Sequence, residues 1–186
     1  MGAASATAEA KYLQIKLLHH LRRDLDEDDE PFEREFEVDR TERLGKGSYG
    51  EVFVGTRRAT GDKVAIKLFG FPGKRGRHSP NARKAALDEV SAHACLEPHP
   101  HIAQLLDIGV TRDRVALVSV MYQMDLNKYI KKSKAAPEMI QRFLACICEG
   151  LLHTHRNGLR RLAFAKACEG LCEGLLLAIL ACCCTI

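Results

Sequence analysis

The stretch Leu44 to Lys67, LGKGSYGEVFVGTRRATGDKVAIK, decides how this chain folds. Gly45, Gly47 and Gly50 follow a G-x-G-x-x-G spacing that dinucleotide-binding and phosphate-binding loops share, so the flanks have to separate the two. A dinucleotide loop needs a helix to start at its third glycine. Here Val52, Phe53 and Val54 continue in β-branched and aromatic residues, which favour a strand. Thr60-Gly61-Asp62 supplies turn residues, and Val64, Ala65 and Ile66 resume strand character before Lys67. The predicted order is strand, glycine turn, strand, turn, strand.

A hairpin tip without side chains can lie close over a triphosphate, offering backbone N–H groups to its oxygens. Lys67 at the end of the third strand would place a positive charge near the same phosphates. At these residues the chain resembles the protein kinase family. Gly45-Lys46-Gly47-Ser48-Tyr49-Gly50-Glu51-Val52 stands where the family has its glycine-rich loop, and Val64-Ala65-Ile66-Lys67 where it has its lysine strand. The resemblance implies an α+β, kinase-like fold: a five-stranded antiparallel sheet with one main helix, followed by a partial helical lobe. It implies ATP as cofactor, with Mg²⁺ left open, and phosphoryl transfer to protein Ser or Thr as the family activity.

The family's lysine is fixed by a carboxylate on the next helix. Ser79-Pro80 is a good N-cap and first-turn pair, and Ala86, Val90 and Ala94 have helical spacing in the stretch to Leu96. Glu89 is the first choice for the carboxylate and Asp88 the second; a solvated helix charge is the bland alternative. His99-Pro100-His101-Ile102 and Gln104 to Asp107 resemble the family's link into a fourth strand, and Arg114 to Val120 reads as the fifth. Counting back from Asp125-Leu126, the apparent start of the next helix, puts Ser119 at the gatekeeper position and Val120, Met121 and Tyr122 in the hinge that would hold the adenine edge. Leu44, Val52 and Ala65 would pack over the ring. The hinge assignment comes from the resemblance, since a buried strand without a ligand shows the same apolar run.

Pro137 to Asn157 reads as a long helix with an apolar stripe of Ile140, Phe143, Leu144, Ile147, Leu151 and Leu152, stopped by Asn157-Gly158. In the family a loop with His-Arg-Asp and then an Asp-Phe-Gly follows. The sequence reads instead Leu159-Arg160-Arg161-Leu162-Ala163-Phe164, and neither motif occurs. No catalytic Asp is therefore assigned, and no metal-holding residue. Two function classes stand: a protein kinase represented by an incomplete chain, and a non-catalytic, pseudokinase-like binding or decoy module.

From Arg160 to Ile186 the composition shifts to Leu, Ala, Cys and Gly, and Cys148-Glu149-Gly150-Leu151 is echoed at Cys168 and Cys172. The readings kept are an unrelated tail from an alternative transcript or gene assembly, and a divergent helix. The apolar run from Leu175 is shorter than the roughly 20 residues a bilayer requires, so no transmembrane segment is expected. Cys183-Cys184-Thr185-Ile186 formally fits a C-a-a-X pattern, which keeps a lipidated tail at Cys183 as an alternative.

The 186 residues hold one domain with a core, so at most the small lobe and the first part of a large one. The expected divisions are 1–35, a helix through Leu13, Leu17, Leu18 and Leu21, either docked on the small lobe or a partner or frayed, with an acidic linker; 36–122, the small lobe and hinge; 123–158, partial large-lobe helices; and 159–186, the tail. A net charge of +4 gives no reason to expect a nucleic-acid partner, and Lys74 to Arg77 reads as a solvated loop. Seven of the eight cysteines lie from Cys146 onward without a regular framework. Their spacing to His153 and His155 fits no standard zinc site, and reduced thiols in a cytoplasmic setting are expected. Met1 to Ala10 lacks the charged start and apolar core of a secretory signal, and Ala6 stands where N-myristoylation wants Ser or Thr.

Overall fold

A computed structural model describes residues 8, 11–13, 15–16, 31–47, 49–70, 80–111, 114–124, 126–133 and 136–159. The expectations placed on Ser48, Ser79, Asp125, the Lys74–Arg77 cluster, the acidic linker and the tail with Cys183 lie outside the described residues. The chain divides into two compact units, one within Met1–Cys95 and Leu105–Met121, the other within Leu96–Gln104 and Tyr122–Ile186.

The first unit is built on β1 (Phe36–Gly47), β2 (Gly50–Arg57), β3 (Lys63–Phe69), β4 (Leu105–Val110) and β5 (Val115–Val120), all pairs antiparallel and ordered β1-β2-β3-β5-β4. The five strands expected from the sequence are present, and β3 runs two residues past Lys67. A bulge interrupts β1 between Asp39 and Gly45. There Asp39 Oδ1 accepts from the Thr41 hydroxyl at 2.6 Å and the Thr41 N–H at 2.9 Å, a local pairing that competes with the ladder. The Thr41 hydroxyl, then its N–H, holds the Asp39 carboxyl below its usual range.

Alternation along the strands makes two faces. One carries Phe36, Phe53, Val64, Ile66, Leu68, Ala116 and Val118, closed by Phe32 from the short helix α1 (Pro31–Glu35). Five residues are too few to show a helical period in the sequence. Phe32 stacks on Phe36 at 5.3 Å. The other face buries Phe69, Ile108, Val110, Val115 and Leu117 against Ala82, Ala85, Ala86 and Val90 of α2 (Pro80–Ala94). Alanines along that side of α2 let its backbone lie close to the sheet. α2 ends at Ala94, short of Leu96.

Leu13 joins this second core at 6% exposure, and Lys16 Nζ meets Asp107 Oδ1 at 2.6 Å. The helical residues near the N-terminus are thus seated on the first unit. Their partners are 91 positions away in the case of Lys16, so no local pattern announces them.

The second unit holds α3 (Leu126–Ser133) and α4 (Pro137–Arg156). Phe143 and Cys146 are buried among Leu126, Tyr129, Met139 and Ile147, with the Tyr129 and Phe143 rings edge to face at 5.3 Å. Pro137 opens α4 where its missing N–H costs nothing. At the other end Asn157 and Leu159 N–H groups donate to the His153 and Thr154 carbonyls, and Gly158 takes φ 83°, which only glycine adopts freely. Leu159 is buried beyond the cap.

The stripe expected on α4 divides. Phe143 is buried, Ile147 and Leu151 are half-buried, and Ile140, Leu144 and Leu152 face out. At 100° per residue those six positions span about half the circumference, too wide for one contact face.

Segment Leu96–Gln104 belongs to the same unit and rests on α4 through histidines. His153 Nε2–H donates to the Glu97 carbonyl at 3.1 Å, and His101 Nε2 lies 3.1 Å from Glu149 Oε2. The His99 ring sits 4.7 Å from that of His153, and its Nδ1 accepts the His101 N–H at 3.2 Å. His153 is therefore occupied with a backbone carbonyl.

Candidate functional site

The glycine turn joins β1 to β2, with Gly47 opposite Gly50 and Gly45 opposite Val52. Gly50 is needed for packing: a Cβ there would lie 2.1 Å from the Leu68 carbonyl oxygen on β3. Gly45 is different, since a Cβ there would meet nothing within 4 Å. Packing inside the unit therefore does not explain the absence of a side chain at Gly45. Lys46 is exposed, and Tyr49 packs against the core that α2 covers while its carbonyl accepts the Gly70 N–H at 2.9 Å.

Directly opposed residues of antiparallel strands share a face. Val52 opposes Lys67, and Lys67 opposes Leu117; Ala65 lies two residues on, opposite Val54 and Ser119. Gly45, Val52, Ala65 and Lys67 are thus on the side of the sheet that α2 packs against. Leu44, Val52 and Ala65 are each partly accessible. The Ser119 hydroxyl donates to the Ala65 carbonyl at 3.4 Å.

Lys67 Nζ lies 2.6 Å from Glu89 Oε2, with the two side chains 18% and 14% exposed. The second candidate, Asp88, pairs with Lys84 one helical turn back, on the outer side of α2. One residue along a helix turns the side chain by about 100°, which is why adjacent acids have such different partners. Lys67 Nζ also sits 4.7 Å above the Phe69 ring, a cation–π contact that the sequence reading did not include. The i, i+2 alternation of β3 was the available signal.

His93, one turn beyond Glu89, is a second residue that was missed. Burial pushes its pKa below 6.5; Glu89 opposes that shift and Lys67 adds to it. A neutral imidazole at pH 7 leaves Glu89 to Lys67. The helical i, i+4 spacing from Glu89 was its signal.

At the end of β5, Val120 still pairs with Val64, so the ladder extends one residue into the expected hinge. Met121 closes the first unit and Tyr122 opens the second, both partly buried.

The protein kinase domain family matches residues 38–161. The serine/threonine-protein kinase KIN28 of Saccharomyces cerevisiae is 28% identical over 123 residues, 65% of this chain and 39% of that relative. The chain thus spans about two fifths of the curated relative's length.

Proposed function

Since the chain belongs to the protein kinase family, we propose that its first unit is an ATP clamp, with the triphosphate under the Gly45–Gly50 turn and against Lys67. The observation that carries this reading is the 2.6 Å pair between Lys67 and Glu89, on the face of the sheet that also holds Gly45 and Val52. A lysine on a four-carbon stem samples many positions; Glu89 and the Phe69 ring restrict it to one. The open space at Gly45 supports the same reading, because a ligand can approach that backbone closely. Lys46, Ser48, Tyr49 and Gly50 complete the loop. Leu44, Val52 and Ala65 form the roof over adenine, and Val120 and Met121 supply its polar edge.

Mg²⁺ enters only as the counter-ion the nucleotide brings. Among the described residues no group of three His, Cys, Asp or Glu side chains could hold a metal ion, and no step is assigned to one. In this reading 36–122 holds nucleotide, 123–158 is the start of the large lobe and 159–186 is a divergent tail, in a cytoplasmic protein. No described helix is long and apolar enough to cross a membrane.

The family activity is phosphoryl transfer from ATP to a protein hydroxyl, Ser or Thr by similarity to the yeast relative. The sequence as it stands contains neither His-Arg-Asp nor Asp-Phe-Gly. Without a carboxylate to accept the hydroxyl proton, a factor of about 10²–10⁴ is lost, and charge stabilisation of the transferred group is lost with it. We therefore read the chain as a binder that does not transfer phosphate by itself, a pseudokinase-like module. A thermal-shift titration with ATP tests the clamp: a concentration-dependent rise, abolished in Lys67→Met, is expected, and no shift at millimolar ATP would overturn it. Incubation with Mg²⁺-ATP and a generic protein substrate tests the second part. Phosphate transfer that disappears in Lys67→Met would show that catalysis is retained.

A further inference from the structure

The carboxylate of Glu89 and the ring of Phe69 restrain Lys67 in different ways. The ammonium lies 2.6 Å from Glu89 Oε2 and 4.7 Å above the Phe69 ring. Glu89 is itself a flexible side chain, so an ion pair alone lets both ends swing together. Phe69 is 2% exposed and packs in one core with Ala82, Ala85, Ala86 and Val90 of α2, which fixes the ring in place. The face of an aromatic ring carries negative potential and attracts a cation, more strongly where water is kept away. The Lys67 side chain is 18% exposed.

The backbone at Phe69 also sets the glycine turn. Phe69 pairs with Gly50 across β2 and β3, and a Cβ on Gly50 would come 3.1 Å from the Phe69 Cα. The next residue, Gly70, donates its N–H to the Tyr49 carbonyl at 2.9 Å. The turn and the lysine are thus both referenced to one buried residue. Any apolar side chain there would satisfy the alternation of β3, but only an aromatic one adds a hold on the ammonium.

We propose that Phe69 is a positioning residue for nucleotide binding, whose ring face keeps the Lys67 ammonium beside the glycine turn. The role rests on the ATP clamp proposed above. Because it acts through Lys67, it concerns the phosphates and not the adenine. A lysine already restricted loses less freedom when a phosphate arrives, and immobilising such a side chain is equivalent to about two- to tenfold in affinity.

Calorimetric titration of the full chain with ATP and with adenosine tests this. Phe69→Leu is expected to weaken ATP about two- to tenfold and to leave adenosine unchanged, while a urea midpoint records the lost core packing separately. Fluorinating the Phe69 ring keeps its shape and depletes its negative face, and is expected to weaken ATP in the same direction. Equal losses for ATP and adenosine, or ATP binding untouched by fluorination, would reduce the ring to core packing and overturn the proposal. The nucleotide-free chain gives a readout that needs no ATP. Its Lys67 ε-methylene NMR signals, identified by their loss in Lys67→Arg, should lie upfield under the ring current and move back in Phe69→Leu. A wild-type chain that binds ATP without that shift refutes the role of Phe69 alone; one that shows the shift and binds no ATP refutes the clamp, and the role with it.

Discussion

Two glycines in one turn illustrate how differently the same residue can be required. At Gly50 an added methyl would collide with the Leu68 carbonyl, which is backbone and cannot rotate away. Gly50→Ala is therefore expected to destabilise the first unit by about 1–3 kcal/mol, read as a lower urea midpoint. At Gly45 the same methyl enters open space. Gly45→Ala should leave the midpoint within about 0.5 kcal/mol while reducing the ATP-dependent thermal shift, a separation of binding from stability. His99 supplies a pH prediction. Burial depresses its pKa below 6.5, with His153 and then His101 pushing the same way against Glu149. A histidine whose folded pKa is lowered favours the folded state above its ordinary value, and this preference is lost as the pH falls below about 6.5. Amide protection factors in Leu96–Gln104, corrected for the slower intrinsic exchange at lower pH, should fall on acidification to pH 5.5. His99→Gln should flatten that response; an unchanged response would sink the assignment.

At the scale of elements, legibility followed locality. The strands β1 to β3 could be read because glycines and turn residues punctuate them and β-branched residues fill the intervals. α4 could be read because its apolar period persists over 20 residues. The sequence did not reveal which side of α4 would be covered, since apolar residues lie around half of it and the pattern does not say where the neighbours are. Burial does. Phe143→Ala removes the ring packed on Tyr129 and should cost the second unit about 3–5 kcal/mol; Leu144→Ala, on the outer face, should cost a small fraction of that in dilute solution. Thermal denaturation of the two variants at low concentration measures the contrast. The Lys67–Glu89 geometry belongs to this scale too. β3 fixes one end and α2 the other, so helical phase alone decided between Asp88 and Glu89. Phe69 and His93, which share that phase and alternation, carry no motif of their own and were visible only once the two elements were in place.

For the whole molecule, the least legible feature was the seat of the N-terminal residues, because Leu13 and Lys16 find partners that the chain supplies much later. Leu13→Ala should lower the stability of the first unit by about 2–5 kcal/mol. A denaturation midpoint unmoved by that change would mean the segment is not docked in solution. The pairing of Lys16 with Asp107, 91 residues apart, also orders events in time. At synthesis rates of about 5–20 residues per second, Leu13 leaves the ribosome roughly 5–20 seconds before β4 exists to receive it. β4 in turn has no hydrogen-bonded neighbour until β5 follows, since β5 lies between it and β3. The nascent chain thus carries an uncovered apolar anchor until β4 and β5 have been made, and the sheet that receives it is completed by its last strand.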